Sequence, residues 1–400
     1  MKKIVTTILA ILVCVSFSLS MGCSPTSTHT QHVWESTYTY DGTKHVRSCT
    51  VSGCNVKDEI VDHVFGDYTI EEGYHYQKCT IEGCEEISQK VPHQMEGHYC
   101  IEDMVMHRIV KCSVCDYKDY SADSPLEIDI LVKPSDSNKS QIINGAKSGD
   151  VVAFAKGVYS SFEGKMYQEN ITYIAETGTS ISVINCAEKS ATYENFTITG
   201  LSKEVGFNFN YTTSGVTIKN CRFTAFGGIY ARYNSSDTKI INNLTVENCV
   251  FKDVGVSSDA DNASAIVLTH YNGLTIKDCV FDTVEYNAMQ VGEHANGGEV
   301  LITGNVFKDM GSRVVYLVNV NNLTSCEISD NIFYDHHDNY SATGDGGVKK
   351  DSGVYIHTRS TSGALHIGTN KWVNIPADDA KYIAPFADYH VLLQLLYIVD

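Results

Sequence analysis

From Phe196 onward the chain repeats one short pattern. Apolar and polar residues alternate for a few positions, a turn residue follows, and an aromatic closes the phrase. Val216, Ile218, Cys221 and Phe223 form one copy. Leu244, Val246, Cys249 and Phe251 form the next, then Leu274, Ile276, Cys279 and Phe281. Copies at 302–307, 328–333 and 367–372 place Asn305, Asn331 and Asn370 in the Cys position, and Phe196 with Ile198 makes an earlier, looser one. Counted from the aromatic of the Phe223 copy, the steps are 28, 30, 26, 26 and 39 residues. Alternation with period two is strand periodicity. A strand recurring every few tens of residues, with Asn and Gly at the turns and no helical pattern, predicts stacked β-solenoid coils.

One coil cannot bury its inner face alone, so neighbouring coils must stack and turn that face into continuous ladders. Ile218, Val246, Ile276, Ile302 and Ile328 are expected in one ladder, and Phe223, Phe251, Phe281, Phe307 and Phe333 in another. Cys221, Cys249 and Cys279 should share a corner column with Asn305 and Asn331, where side-chain amides can bond along the stack. A second strand follows each copy, around Tyr230, Val267, Gln290, Tyr316 and Tyr355. Long insertions at 253–264 and 334–352 should rise on one flank and wall a groove.

The opening of this region, 141–159, reads as a short helix, a Gly149-Asp150 turn, an apolar strand and a Gly157-x-Tyr159 end. It resembles the N-terminal cap of the pectin-lyase-like β-helix superfamily, and is similar to the caps of chondroitinase B and alginate lyase-type enzymes. The resemblance spans residues 125–400. It implies an all-β fold, a right-handed parallel β-helix, and carbohydrate as the ligand of most relatives. A fold does not by itself establish an activity.

Residues 23–124 repeat with a different unit, about 30 residues long. Grouped from His32, the potential ligands are His32, His45, Cys49 and Cys54, then His63, His75, Cys79 and Cys84, then His93, His107, Cys112 and Cys115. Two imidazoles and two thiolates close the tetrahedral shell of structural Zn²⁺. So small a unit buries little core, and bound metal would supply the missing folding free energy. Disulfides joining Cys49 to Cys54 and Cys79 to Cys84 are the alternative. They account for the Cys and leave the phased His without a role. The repeats resemble Cys/His-rich spacer modules of bacterial surface proteins.

Residues 1–22 read as an export signal: Lys2 and Lys3, an apolar run at 4–17, then small residues leading to Gly22 and Cys23. Gly22-Cys23 resembles a bacterial lipobox, which implies that Cys23 is lipidated and that the protein is exported and anchored at the cell surface by lipid alone. The formal net charge of −18 sets nucleic acid aside as a partner, because phosphate binding needs a cationic face. An acidic polysaccharide would need a local cationic patch or a bridging Ca²⁺ at the groove.

Lyases of the resembling superfamily remove a proton beside a uronate carboxylate, which requires a base and a cation that neutralises the carboxylate. Lys349, Lys350, His357 and Arg359 gather positive charge in an acidic chain and are the expected catalytic residues. Tyr230, Arg232, Thr269, Gln290, Tyr316 and Tyr355 should line an outward strip that binds substrate. The Asp-rich motifs of polygalacturonase-type hydrolases and the Lys-Ser motif of the chondroitinase B group are not matched. The reading is therefore a surface protein that binds, and as a lyase or hydrolase cleaves, an extracellular polysaccharide. Its rival is a non-catalytic adhesin or rigid scaffold.

Overall fold

The computed structural model describes residues 31–42, 44–60, 62–201, 206–233, 236–255, 264–295, 297–311, 314–317, 323–334, 356–358 and 365–373. The export segment and Cys23 lie outside them. Among the described residues no helix is long and apolar enough to cross a membrane. The chain divides into two compact units. One comprises Met1–Gln94 with Cys112–Tyr117, the other Met95–Lys111 with Lys118–Asp400. The second unit thus takes in the hairpin residues Met95–Lys111.

The larger unit is a parallel β-helix of about 7 turns. Its strands pair in parallel from Ile130–Val132 to Lys371–Val373. The expected ladders form. Ile218 registers on Val246, Val246 on Ile276, Ile276 on Ile302 and Ile302 on Ile328, all fully buried. Phe223, Phe251, Phe281, Phe307 and Phe333 stack face to face with centroids 4.5, 4.6, 4.9 and 5.0 Å apart. Burying each ring is worth about 1.5–3 kcal/mol, and the stack fixes register because a one-residue slip would turn every ring outward.

Each coil bends from the Ile/Val strand toward the Phe strand through one residue of positive φ: Asn220 (55°), Asn248 (50°), Asp278 (55°), Gly304 (68°) and Asp330 (58°). Only Gly, Asn and Asp visit that region readily, which accounts for the residue types at this corner. The following position carries the buried Cys and Asn column. At the start of the helix the short helix Lys139–Asn144 and the strand Val151–Phe154 take their expected places. Tyr159 is buried and its hydroxyl donates to the carbonyls of Ala155 (2.7 Å) and Val132 (3.1 Å). A Cβ at Gly157 would overlap the Pro134 ring, so that turn accepts no side chain.

The hairpin of Met95–Glu102 and Val105–Cys112 contributes Met106, Tyr99 and Ile101 to a second apolar cluster with Ile128, Val151, Ala153 and Ile174. A buried carboxylate holds it there. Glu194 accepts from Arg108 Nε (3.0 Å) and Nη2 (3.0 Å) and from Tyr99 Oη (2.9 Å), and pairs with Lys219 Nζ at 3.1 Å. Asn220 in turn donates to the Tyr99 hydroxyl at 2.7 Å.

The smaller unit is built from short antiparallel ribbons, such as Phe65–Glu71 on Tyr74–Cys79 and His45–Ser48 on Lys57–Ile60. Its buried apolar residues, among those described, are Val46, Tyr76, Cys49, Cys79, Cys112 and Cys115, joined by His45 and His75. The side chains that could bind metal are most of its core.

Candidate metal centres and the outward strip of the β-helix

The Cys/His residues come together in three groups that differ from the expected ones. His45, His63, Cys79 and Cys84 form one, and His75, His93, Cys112 and Cys115 form another. His32 joins Cys49 and Cys54 in the third. Within each group the ligand atoms lie within 4.8 Å of one another. His45 therefore does not complete the set of His32, and His75 rather than His107 completes the set of His93. His45 on the strand His45–Ser48 and His75 on the strand Tyr74–Cys79 thus belong to the set of the following repeat. His107 instead sets its Nδ1 2.6 Å from Asp123 Oδ2. The spacing signal was present in the sequence: His45 precedes His63 by the same 18 residues by which His75 precedes His93.

The distances suit a tetrahedral ion. With Zn–N about 2.0–2.1 Å and Zn–S about 2.3 Å, neighbouring ligand atoms stand about 3.4 Å (N to N) to about 3.8 Å (S to S) apart. Cys79 Sγ lies 3.5 Å from His45 Nε2, and Cys84 Sγ 3.5 Å from His63 Nδ1. In the second full group, His75 Nδ1 and His93 Nδ1 are 3.4 Å apart, Cys115 Sγ is 3.5 Å from His93 Nδ1, and Cys112 Sγ is 4.0 Å from His75 Nδ1. The far nitrogen of His93 lies 3.0 Å from the Glu71 carbonyl, the kind of outer contact that orients a metal-binding imidazole. The described cysteines are unbridged in this structure.

The thiols are unequal. Burial raises Cys79, yet the backbone bond at Ile81 and the His63 side chain outweigh it and bring the thiol to about 6. Cys49 and Cys112 also fall to about 6, against burial, through the backbone at Val51 and Val114 respectively. Their partners Cys54, Cys84 and Cys115 are pushed up, first by burial and then by the neighbouring sulfur. One sulfur of each pair is thus poised as the thiolate that a metal requires.

On the β-helix, one column of residues repeats coil after coil: Asn185, Asn208, Tyr230, Val267, Gln290, Tyr316 and His357 are in register. Asn185, Asn208 and Gln290 are half-buried, and Asn208 Nδ2 donates to Asn185 Oδ1 at 3.2 Å. Arg232 is exposed just past the strand Ile229–Ala231. Tyr230 and Tyr316 lie in the column but are each only 4% exposed. The Tyr230 hydroxyl donates to the Ser264 carbonyl at 3.1 Å, under the chain that enters the next coil. Thr269, expected on the strip, is replaced by Val267. The register shifts between Leu268 and His270, and Thr269 is buried with its hydroxyl accepting from the Tyr233 backbone at 2.8 Å. Asn185 and Asn208 extend the column beyond the expected residues.

Lys349, Lys350, Tyr355 and Arg359 lie outside the described residues, as does most of both insertions. His357 sits on the strand Ile356–Thr358 opposite Tyr316.

No protein family matches the chain, and no curated protein does. Solved structures resemble it at low similarity, among them two alginate lyases. An alginate lyase from Paenibacillus sp. str. FPU-7 is 10% identical, with 61% of this chain and 97% of that chain covered and a TM-score of 0.35. The PL6 family alginate lyase AlyGC is 13% identical, with 78% of this chain and 44% of that chain covered and a TM-score of 0.34.

Proposed function

We propose that this is an exported bacterial surface protein, lipid-anchored at Cys23, whose β-helix binds an extracellular polysaccharide of acidic character. The Cys/His repeats act as zinc-held spacers that present it. The observation that carries the ligand class is the in-register column from Asn185 to His357. A rigid surface that repeats one position per coil, at about 4.8 Å spacing, offers a linear polymer the same donor or acceptor several times over. Amide side chains at Asn185, Asn208 and Gln290, with the exposed Arg232 beside them, suit hydroxyls and a carboxylate. Tyr230 and Tyr316 brace this column from within; they are too buried to stack on a sugar.

Cleavage extends the same reading. Lys349, Lys350, His357 and Arg359 are the residues offered for a base and for neutralising a uronate carboxylate, with Ca²⁺ as a further neutralising ion. A non-catalytic adhesin uses the same column without them.

The full chain is to be tested for retention on uronate and neutral polysaccharides, and for the ultraviolet absorbance of unsaturated products. Retention on a uronate polymer that weakens about tenfold in Arg232→Ala, a loss of about 1.4 kcal/mol, supports the reading. A rise in absorbance makes the protein a lyase, and retention without one makes it an adhesin. No retention on any glycan ends the proposal.

A further inference from the structure

An exposed aromatic pair stands beside the amides of the outward column. Tyr167 and Tyr211 meet edge to face with ring centroids 5.7 Å apart. Tyr211 is half-buried, and Tyr167 is 59% exposed. Asn210, next to Tyr211, donates to Asn185 Oδ1 at 3.4 Å, the same oxygen that accepts from Asn208. Both backbones are pinned to a neighbouring coil. The Tyr167 N–H donates to the Ala187 carbonyl at 2.9 Å, and the Tyr233 hydroxyl reaches the carbonyls of Phe209 (2.9 Å) and Tyr211 (3.4 Å). Tyr167 also sits where a tyrosine costs the fold. It is the third residue of the turn 165–168, closed by the Gln168 N–H on the Lys165 carbonyl at 3.2 Å, and its φ is 59°. A turn that needs positive φ at this place takes Gly or Asn, and a bulky side chain there is an outlier. A ring so exposed recovers little of that cost by burial. Strain that folding does not reward is a mark of a functional position.

We propose that Tyr167 and Tyr211 form an aromatic subsite that takes one neutral sugar ring of the bound polysaccharide, at the end of the column nearest the N-terminal cap. The proposal rests on the polysaccharide reading and supplies the aromatic surface that the buried Tyr230 and Tyr316 cannot. The C–H face of a pyranose packs on the apolar body of an aromatic ring. Asn208 and Asn210 beside it offer amide donors and acceptors to the sugar hydroxyls. Charge selects which sugar. Glu163 continues the column, exposed and in register with Asn185, and Lys189 is paired with Glu169 at 3.0 Å. A uronate would set its carboxylate against Glu163 here, a repulsion that a neutral ring avoids. The exposed Arg232 lies two coils on from Asn185, where a carboxylate is matched. The ligand class is therefore a chain that carries neutral and uronate residues together.

The full chain is run in native gels containing gellan, which carries neutral sugars beside glucuronate, or polygalacturonate, which carries uronate alone. Gellan should retard the wild type. Tyr211→Ala and Tyr167→Gly should each weaken that retardation about tenfold, and Tyr167→Phe should keep it. Melting separates recognition from folding. Glycine accepts the positive φ, so Tyr167→Gly should melt at or above the wild-type temperature while losing the glycan. Retardation by gellan that neither variant weakens overturns the inference and leaves the polysaccharide reading standing. Retardation by polygalacturonate alone does the same. A lower melting temperature in Tyr167→Gly assigns the ring to the fold and also overturns it. No retardation by either polymer ends the inference, and the wider reading falls only when every other glycan fails too.

Discussion

The side-chain oxygen of Asn305 accepts the backbone N–H of Cys279 at 2.9 Å, and at this point a column of thiols hands over to a column of amides. On the thiol side, Cys249 and Cys279 direct Sγ at the carbonyls of Ile218 and Val246, each at 3.6 Å. On the amide side, Asn305 and Asn331 send Nδ2 to the equivalent carbonyls of Ile276 and Ile302 at 2.9 Å. Cys and Asn thus serve one structural demand, a donor for the carbonyl of the Ile/Val ladder, with different strength.

The difference can be measured. Asn331 Oδ1 also accepts from the Asn305 backbone (2.9 Å) and side chain (3.0 Å). Asn331→Ala leaves these donors and the Ile302 carbonyl orphaned in the core, at a cost of about 3 kcal/mol. Cys249→Ala removes a weak donor and a small apolar volume, for about 1 kcal/mol. Thermal unfolding of the β-helix should therefore fall roughly three times as far in Asn331→Ala. Equal shifts would deny the amide its part in the column.

The ladders were legible because every coil is written in the same phase, so Phe223, Phe251 and Phe281 announce their own stacking. The strip was legible only as far as alternation holds. The register shift between Leu268 and His270 carries Thr269 inward, and the chain near Ser264 covers Tyr230; neither leaves a mark on period-two patterning. The metal sets were misgrouped for a different reason. Each repeat was expected to close its own shell, while the fold passes His45 and His75 on to the next repeat. The Glu194 network was not foreseen, since Tyr99 and Arg108 reach it from far along the chain.

Glu194 makes the β-helix unit sensitive to acid. Burial alone would raise its pKa, but the Arg108 bonds and charge, with Lys219 and Tyr99, hold it below the ordinary carboxylate range. A carboxyl depressed in the folded state contributes stability that is fully present above its unfolded pKa, about 4.3, and is lost as pH falls through the lower folded value. The melting temperature should hold steady above about pH 5 and drop below about pH 4. Glu194→Gln should be less stable at neutral pH, with part of the acid slope removed. An identical slope in the variant would assign the sensitivity to other groups.

The regrouping of the metal ligands separates two neighbouring imidazoles. His75 faces His93 and Cys112, so His75→Ala should lower zinc by one equivalent or weaken that site at least tenfold, about 1.4 kcal/mol. His107 pairs with Asp123, so His107→Ala should leave zinc content unchanged. Zinc per chain after gel filtration decides between them, and the opposite pattern would restore the grouping expected from spacing.

Chelation should act on one unit and spare the other. The smaller unit owes much of its burial to Cys49, Cys79, Cys112, Cys115, His45 and His75, with Val46 and Tyr76 beside them, so without metal its two thiols per pair and its imidazoles are left as a poor core. On the zinc reading proposed above, metal binding there is folding free energy. The β-helix has its own continuous apolar column from Val132 to Ile367. A strong chelator at neutral pH should therefore expose the segment 31–94 to protease while residues 125–334 remain protected. Acid should do the same, as protons compete with the ion for the thiolates and imidazoles. Protection of both units after complete zinc removal would show that the ribbons of the smaller unit stand without the ion, and that the Cys/His groups serve something other than its fold.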